Sequence, residues 1–131
     1  MKFSTKSTYG IRAMISLAKN SGDSLSLAKI AEEEKISLGY LERLFSKLKK
    51  AGLVTSERGV NGGYTLSRKP EDISILDIVK TLEGSISYFR CVDETGAVSC
   101  DNGSCGALKV LSRLQKAVND TLVNFKLSEL L

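Results

Sequence analysis

The helical period of this chain breaks between residues 53 and 67, and that break restricts the fold more than any other feature. Leu53-Val54-Thr55-Ser56-Glu57-Arg58 and Tyr64-Thr65-Leu66-Ser67 read as two strands, joined by Gly59-Val60-Asn61-Gly62-Gly63. Asn61-Gly62 is a strong hairpin signal, because both residue types tolerate positive φ. Ahead of the hairpin the period is helical three times over. Residues 8–19 place Gly10, Ala13, Met14, Leu17 and Ala18 on one face. Residues 26–34 turn Leu27, Ile30 and Ala31 inward. Ser37 then reads as an N-cap, followed by Leu38, Leu41, Leu44, Phe45 and Leu48 at helical spacing. Lys49 and Lys50 fall in the last turn, and Gly52 suits the position just past the end. Three helices followed by a hairpin is the order of a winged helix-turn-helix, so the expected fold is mainly α with a small β-hairpin.

The one proline, Pro70, sits in the polar run Arg68-Lys69-Pro70-Glu71-Asp72 and marks a junction. It divides the chain into a winged helix-turn-helix unit, 1–70, and a second region, 71–131. Ser74-Ile75-Leu76-Asp77 matches a capping box with Asp in place of Glu, and Ile75, Ile78, Val79 and Leu82 carry that helix to Gly84. Residues 85–106 lack a period. A long last helix is expected from near Ser104, with Ala107, Leu111, Leu114, Val118, Thr121 and Phe125 spaced as a coiled-coil seam. A lone helix with such a seam wants a partner, so these residues are read as the dimerisation face of a homodimer.

Charge narrows the function. The net charge is only +4, but residues 35–69 carry eight cations against two acids, and residues 1–19 carry four cations and no acid. The intervening segment, 20–34, and the remainder, 70–131, are net acidic. Basic blocks confined in this way indicate a local face for a polyanion. No apolar stretch is long enough to span a bilayer, and Met1-Lys2-Phe3-Ser4 leads into no apolar signal region, so a cytoplasmic location without membrane contact is expected. The absence of histidine, of a nucleophile–base pair and of a phosphate loop argues against an enzyme, and a thiol redox catalyst would want the absent C-x-x-C spacing.

The helix beginning at Ser37 carries the main functional argument. With its apolar residues in the core, Gly39, Tyr40, Glu42, Arg43, Ser46 and Lys47 face outward. Arg suits guanine, and Glu accepts from the cytosine amino group. Ser37 and the backbone amides at the helix start can hold a phosphate. Arg58 and the glycine-rich tip around Asn61 and Gly62 suit a narrow minor groove. Lys2, Lys6 and Tyr9 are read as backbone contacts. The expected partner is therefore double-stranded operator DNA.

The three cysteines, Cys91, Cys100 and Cys105, are spaced C-x8-C-x4-C in the aperiodic segment. Thiolates in a glycine-containing loop can wrap an iron–sulfur cluster or a metal. Cys105, at the start of the last helix, would lie near its positive end. A structural zinc would need a carboxylate, since no histidine completes the set. Three is an odd number for disulfides, which are in any case rare in the cytosol.

These residues resemble the Rrf family of bacterial transcription regulators. Lys2-Phe3-Ser4-Thr5-Lys6-Ser7-Thr8-Tyr9-Gly10-Ile11-Arg12-Ala13 looks like the family's opening. Ile36-Ser37-Leu38-Gly39-Tyr40-Leu41-Glu42-Arg43-Leu44-Phe45 is similar to its recognition helix, Arg58-Gly59-Val60-Asn61-Gly62-Gly63-Tyr64 to its wing, and Ile75-Leu76-Asp77-Ile78-Val79 to the helix that follows. The resemblance implies a homodimer that binds operator DNA, usually as a repressor. It places Ser37, Gly39, Tyr40, Glu42 and Arg43 on the recognition helix and Arg58 at the wing arginine. In some members the glutamate matching Glu42 discriminates between operator types, and a serine stands where this chain has Gly39. Cluster-binding members carry three cysteines in this same loop, which implies a 2Fe–2S cluster ahead of a 4Fe–4S one, on Cys91, Cys100 and Cys105. The chain departs from their usual C-x5-C-x5-C spacing at Cys100. A histidine that serves as fourth ligand in one branch is Leu108 here, and an aspartate used in another is Thr8. Asp93, Glu94, Asp101, a group of the partner subunit or an exogenous thiol remain candidates for the fourth ligand. Other members work without a cluster, as repressors controlled by a protein or small-molecule effector.

Overall fold

A computed structural model of the chain describes residues 4–20, 22–59, 62–98 and 105–131. It contains helices α1 (Thr5–Lys19), α2 (Leu27–Glu34) and α3 (Leu38–Lys50), strands β1 (Val54–Glu57) and β2 (Gly63–Leu66), then α4 (Ile75–Glu83) and α5 (Ala107–Asn124). Three helices and an antiparallel hairpin, with a long C-terminal helix, form the winged helix-turn-helix anticipated from the period breaks.

Local signals set most of the element ends. Ser26 and Ser37 cap α2 and α3 by accepting the amides of Lys29 and Tyr40, each at 3.2 Å. Ser74 and Asp77 exchange both hydrogen bonds of a capping box at the start of α4. Between α2 and α3 the chain turns through Lys35, which adopts a left-handed conformation (φ 55°, ψ 48°) and returns its amide to the Ala31 carbonyl. Ile36 follows into the core.

Helix α1 starts a turn earlier than the residue pattern indicates. Its first turn is polar, and tertiary contacts hold it. Ser7 is fully buried and donates to Glu83 Oε1 of α4 at 2.6 Å, and Ser4 donates to the same oxygen. Partial burial would raise the Glu83 carboxyl, but these hydrogen bonds and the charge of Lys6 outweigh it and hold it below its usual value.

The hairpin register pairs Val54 with Leu66 and Glu57 with Gly63, so five residues, 58–62, form the tip. Asn61-Gly62 therefore marks the hairpin without being its two-residue turn. Gly59, at φ 135°, accepts the Gly62 amide at 3.0 Å; Val60 and Asn61 lie outside the described residues. Strand β2 is also fastened to the segment before α2, since Leu25 and Tyr64 exchange backbone hydrogen bonds of 2.9 and 3.0 Å. Gly63 sits so close that a Cβ there would meet the Leu25 carbonyl oxygen at 2.5 Å.

One buried cluster runs across the junction at Pro70. Met14, Leu17, Ile30, Leu41, Leu44, Phe45 and Leu48 share it with Ile73, Ile78, Val79 and Leu82. The segment after α5 returns to it: the Phe125 carbonyl accepts the Ile75 amide, the Leu127 amide donates to Ile73, both at 2.8 Å, and Leu127 is fully buried.

Gly10 lets α1 and α4 approach. A Cβ at this position would stand 2.1 Å from Leu82 Cδ1, and Leu82 is itself buried. Glycine inside a helix costs about 1 kcal/mol relative to alanine, and this contact is what that cost secures. Gly10→Val is expected to lower the unfolding free energy by about 1–3 kcal/mol, the usual cost of overpacking a filled core. Gly10→Ala should lose less, because helix propensity offsets part of the clash. Denaturant titration of the purified variants measures both.

Candidate nucleic-acid interface and cysteine loop

Helix α3 buries Leu41, Leu44, Phe45 and Leu48 and turns Gly39, Glu42, Arg43, Ser46 and Lys47 to solvent. None of the Glu42, Arg43 and Lys47 side chains has a hydrogen bond or ion pair among the described residues, so their charged groups are uncommitted. Ser37 is exposed, and its Oγ accepts the Tyr40 amide, which leaves its hydroxyl proton available. Arg58 stands exposed at the end of β1, and Gly62 is half-buried at the tip. Lys6 is exposed on α1. Lys2 and Asn61 lie outside the described residues.

Three placements differ from the sequence reading. Tyr40, expected to face outward, is half-buried. Its ring stands edge-on to Tyr9, 5.8 Å between centroids, and its hydroxyl lies 3.5 Å from Thr5 Oγ1. Tyr9, read as a DNA-backbone contact, is half-buried in α1, its ring set against Tyr40 and the Arg12 guanidinium, which sits 5.4 Å from its ring centroid. Leu38, counted among the inward residues, is exposed. Each shift has one cause: the N-terminal half of α1 crosses the start of α3, covering the Tyr40 side and leaving Leu38 uncovered.

Arg12 was counted only as a cation of the basic block. The structure spends that charge internally. Its Nε donates to Glu34 Oε2 at 3.0 Å, a second guanidinium nitrogen donates to the Glu34 carbonyl, and Ser16 donates to Glu34 Oε1 at 2.9 Å. This bracket ties α1 to the end of α2. No local motif announces it, because its residues are 22 apart.

The cysteine segment is attached to α5 through polar side chains. Gln115, fully buried, accepts the Tyr88 amide at 3.0 Å and donates to the Ile86 carbonyl at 2.7 Å and to Asn119 Oδ1 at 3.1 Å. Asn119 donates to the Glu94 carbonyl at 2.7 Å, and Ser112 to the Gly96 carbonyl at 2.5 Å. Gly96, at φ 89°, lies against Lys116 and Ser112 with no room for a Cβ. Glu94 also pairs with Lys80 of α4 at 3.5 Å. The loop carrying Cys91 is thus clamped between two helices. The signal for this clamp lies in the spacing of α5: Gln115 falls seven residues from both Leu108 and Leu122, and those three residues form its buried stripe.

That stripe revises the reading of α5. The helix begins at Ala107, with Gly106 at its cap, and ends at Asn124, so Phe125 is the extended residue beyond it. Of the expected seam, Leu111 and Val118 are half-buried, while Ala107, Leu114, Thr121 and Phe125 are exposed. Leu114, Ala117, Val118, Thr121 and Leu122 line an open apolar groove of about 240 Å³.

Cys91 is half-buried, Cys105 is exposed one residue before the α5 cap, and both are thiols. Cys100 and the candidate ligand Asp101 lie outside the described residues. Thiol donors suit iron–sulfur chemistry, whereas the carboxylate candidates have other work. Asp93 Oδ1 accepts the Thr95 hydroxyl (2.6 Å) and the amides of Thr95 (2.8 Å) and Ala97 (3.0 Å). The Thr95 bonds, above all, hold the Asp93 carboxyl below its usual pKa. Glu94 is paired with Lys80, Leu108 is buried, and Thr8 donates to the Ser4 carbonyl. Among the described residues no three metal-ligating side chains converge.

Residues 3–131 match the model of a family described as Rrf2, iron-dependent transcriptional regulator. The chain belongs to the Rrf2 family. Its relatives are DNA-binding transcription regulators, not enzymes. It is 37% identical to the HTH-type transcriptional regulator IscR of Aliivibrio salmonicida, over 100% of this chain and 77% of that one. It is 40% identical to the IscR of Vibrio vulnificus, with the same coverage. Among solved structures, this Rrf2 regulator is similar to CymR (YrzC), the global cysteine regulator of B. subtilis, with a TM-score of 0.87 and 37% identity over 99% of this chain and 95% of that one. It is also similar to T. potens IscR, with a TM-score of 0.82 and 37% identity over 99% and 85%. No helix among the described residues is long and apolar enough to cross a membrane.

Gln115→Ala is expected to strand the Tyr88 amide and the Ile86 carbonyl in a buried site. The loss should be about 1–3 kcal/mol, the usual desolvation cost of orphaned polar groups, and hydrogen exchange should show residues 86–98 opening from α5.

Proposed function

We propose that this regulator is a cytoplasmic homodimer that reads operator DNA with α3 and the wing, and that the cysteine loop reports iron–sulfur or redox status to α5. The observation that carries the DNA reading is the row of uncommitted polar and charged groups on α3. Arg43 and Glu42 read base edges, Ser37 and the amides of Leu38 and Gly39 hold a phosphate, and Lys6, Lys47 and Arg58 meet the backbone or the minor groove. Two copies joined along α5 bury the apolar groove around Leu114 and Val118, with Ala107, Leu111 and Phe125 beside it. Such a dimer presents two α3 helices to half-sites about one helical turn apart, or a multiple of it.

Cys91, Cys100 and Cys105 would hold the cluster, 2Fe–2S ahead of 4Fe–4S, as the family description and the thiol donor set support. A bound cluster supplies a centre that oxygen or nitric oxide alters. The chain's own residues do the rest. Gln115, Asn119 and Ser112 hold the loop in register on α5, and Lys80 holds it to α4, so a change in the loop's order is felt by both helices. The effect on DNA affinity is limited to the preference of the cluster for one arrangement over the other. A second reading is a cluster-free repressor controlled by a protein or small-molecule effector. It is favoured by the prior engagements of Asp93 and Glu94.

Arg43→Ala should weaken operator binding by about 1–3 kcal/mol and relax specificity, whereas Lys47→Ala should weaken all sequences alike and reduce the salt slope by about 1. Quantitative binding to cognate and scrambled duplexes at several salt concentrations reads both; equal losses on every sequence would show that α3 does not read bases. For the sensing reading, anaerobically purified protein should contain iron and sulfide, and each Cys→Ala variant should lose both and shift operator affinity. Iron-free wild-type protein, or a triple Cys→Ala variant that binds as the wild type does, replaces it with the cluster-free reading.

A further inference from the structure

Leu38 is the large aliphatic residue of α3 that the core does not take. Leu41, Leu44, Phe45 and Leu48 are buried, Tyr40 packs on the rim of the core, and Leu38 stands apart at 42% exposure. It is the first residue of the helix, directly after the Ser37 cap. Gly39 beside it bears no side chain, and a Cβ there would meet only Ser37 Oγ, 4.0 Å away. The start of the recognition helix is thus a leucine on an otherwise bare, open turn.

The N-terminal residues of a recognition helix are the ones that reach base edges. In the major groove, thymine alone presents a methyl group, and it is read by apolar contact. The other exposed side chains of α3, Glu42, Arg43, Ser46, Lys47, Lys49 and Lys50, are polar and suited to donors and acceptors. Leu38 and Glu42 are four residues apart and share one stripe of the helix. We propose that Leu38 is a specificity-determining residue that packs on the C5-methyl of a thymine, next to the base that Glu42 contacts, in each operator half-site. The bare Gly39 turn brings the backbone close enough for a leucine at the first helical position to reach the methyl. The inference rests on α3 being the recognition helix.

The test uses the full chain as it assembles. Operators are selected from random duplex DNA with the wild-type protein. Each selected thymine is then replaced by uracil, which removes the methyl and leaves base pairing intact. One thymine per half-site should lose about fourfold in affinity on replacement, the value of one buried methyl. Replacement in both half-sites should cost more than tenfold. Leu38→Ala should bind the thymine and uracil operators alike. Its thermal stability should be unchanged, since the exposed Leu38 side chain lies outside the core, and non-specific DNA should lose far less affinity than the operator, because the substitution keeps the backbone amide that faces the phosphate. Wild-type protein indifferent to uracil at every position overturns the assignment, as does a Leu38→Ala variant that keeps the full thymine preference. Selection that enriches no sequence overturns instead the reading of α3 itself.

Discussion

The contact between α1 and α4 at Gly10 is the constraint on which the rest of the molecule depends. Helix α4 can lie against α1 only because position 10 has no side chain. Once there, it supplies Ile78, Val79 and Leu82 to the core that α3 also uses, and it supplies Glu83 as the acceptor that makes the polar first turn of α1 helical. That first turn positions Thr5 and Tyr9 against Tyr40, which fixes the rotation of α3. The rotation that the inward leucines of α3 favour is thus secured from another helix, through a missing Cβ at position 10.

Hydrogen bonding divides the molecule into two kinds of packing. In the first, aliphatic side chains fill the space among α1, α3 and α4, and polar groups serve at helix ends. In the second, between α5 and the cysteine loop, a buried amide side chain and its neighbours grip backbone groups directly. The two kinds respond differently to change. Aliphatic packing tolerates little displacement, whereas a polar grip is cooperative when satisfied and costly when half-satisfied. A two-state response is easier to build from the second kind, and it is the second kind that holds the loop carrying Cys91.

Much of this was legible in the residues. The three-helix order, the hairpin, the Ser37 cap and the Ser74–Asp77 box all rest on local rules of period and capping, which act over a few residues. The exposed charges of α3 followed from placing its leucines inward. What could not be read locally was tertiary. The early start of α1 depends on Glu83, 76 residues from Ser7. The burial of Tyr40 depends on which part of α1 crosses it, and the exposure of Leu38 follows from the same crossing. The spending of Arg12 on Glu34 shows why a charge count overstates a binding face: formal charge is local, but its availability is not. In α5, the apolar row through Leu111, Leu114 and Val118 was legible, whereas the separate buried row of Leu108, Gln115 and Leu122 was not, because Gln115 interrupts it with a polar residue.

The return of the chain after α5 bears on how the protein is made. Leu127 is fully buried beside Ile73, and residues 125 and 127 exchange backbone hydrogen bonds with residues 75 and 73. A chain growing on the ribosome has therefore produced all of α3 long before it can close the core that orients it. Domains form as units during synthesis, and here the unit that holds α3 is not whole until its last piece, some fifty residues downstream of α4's start, has emerged. Incomplete nascent chains consequently carry α3 without the packing that orients it.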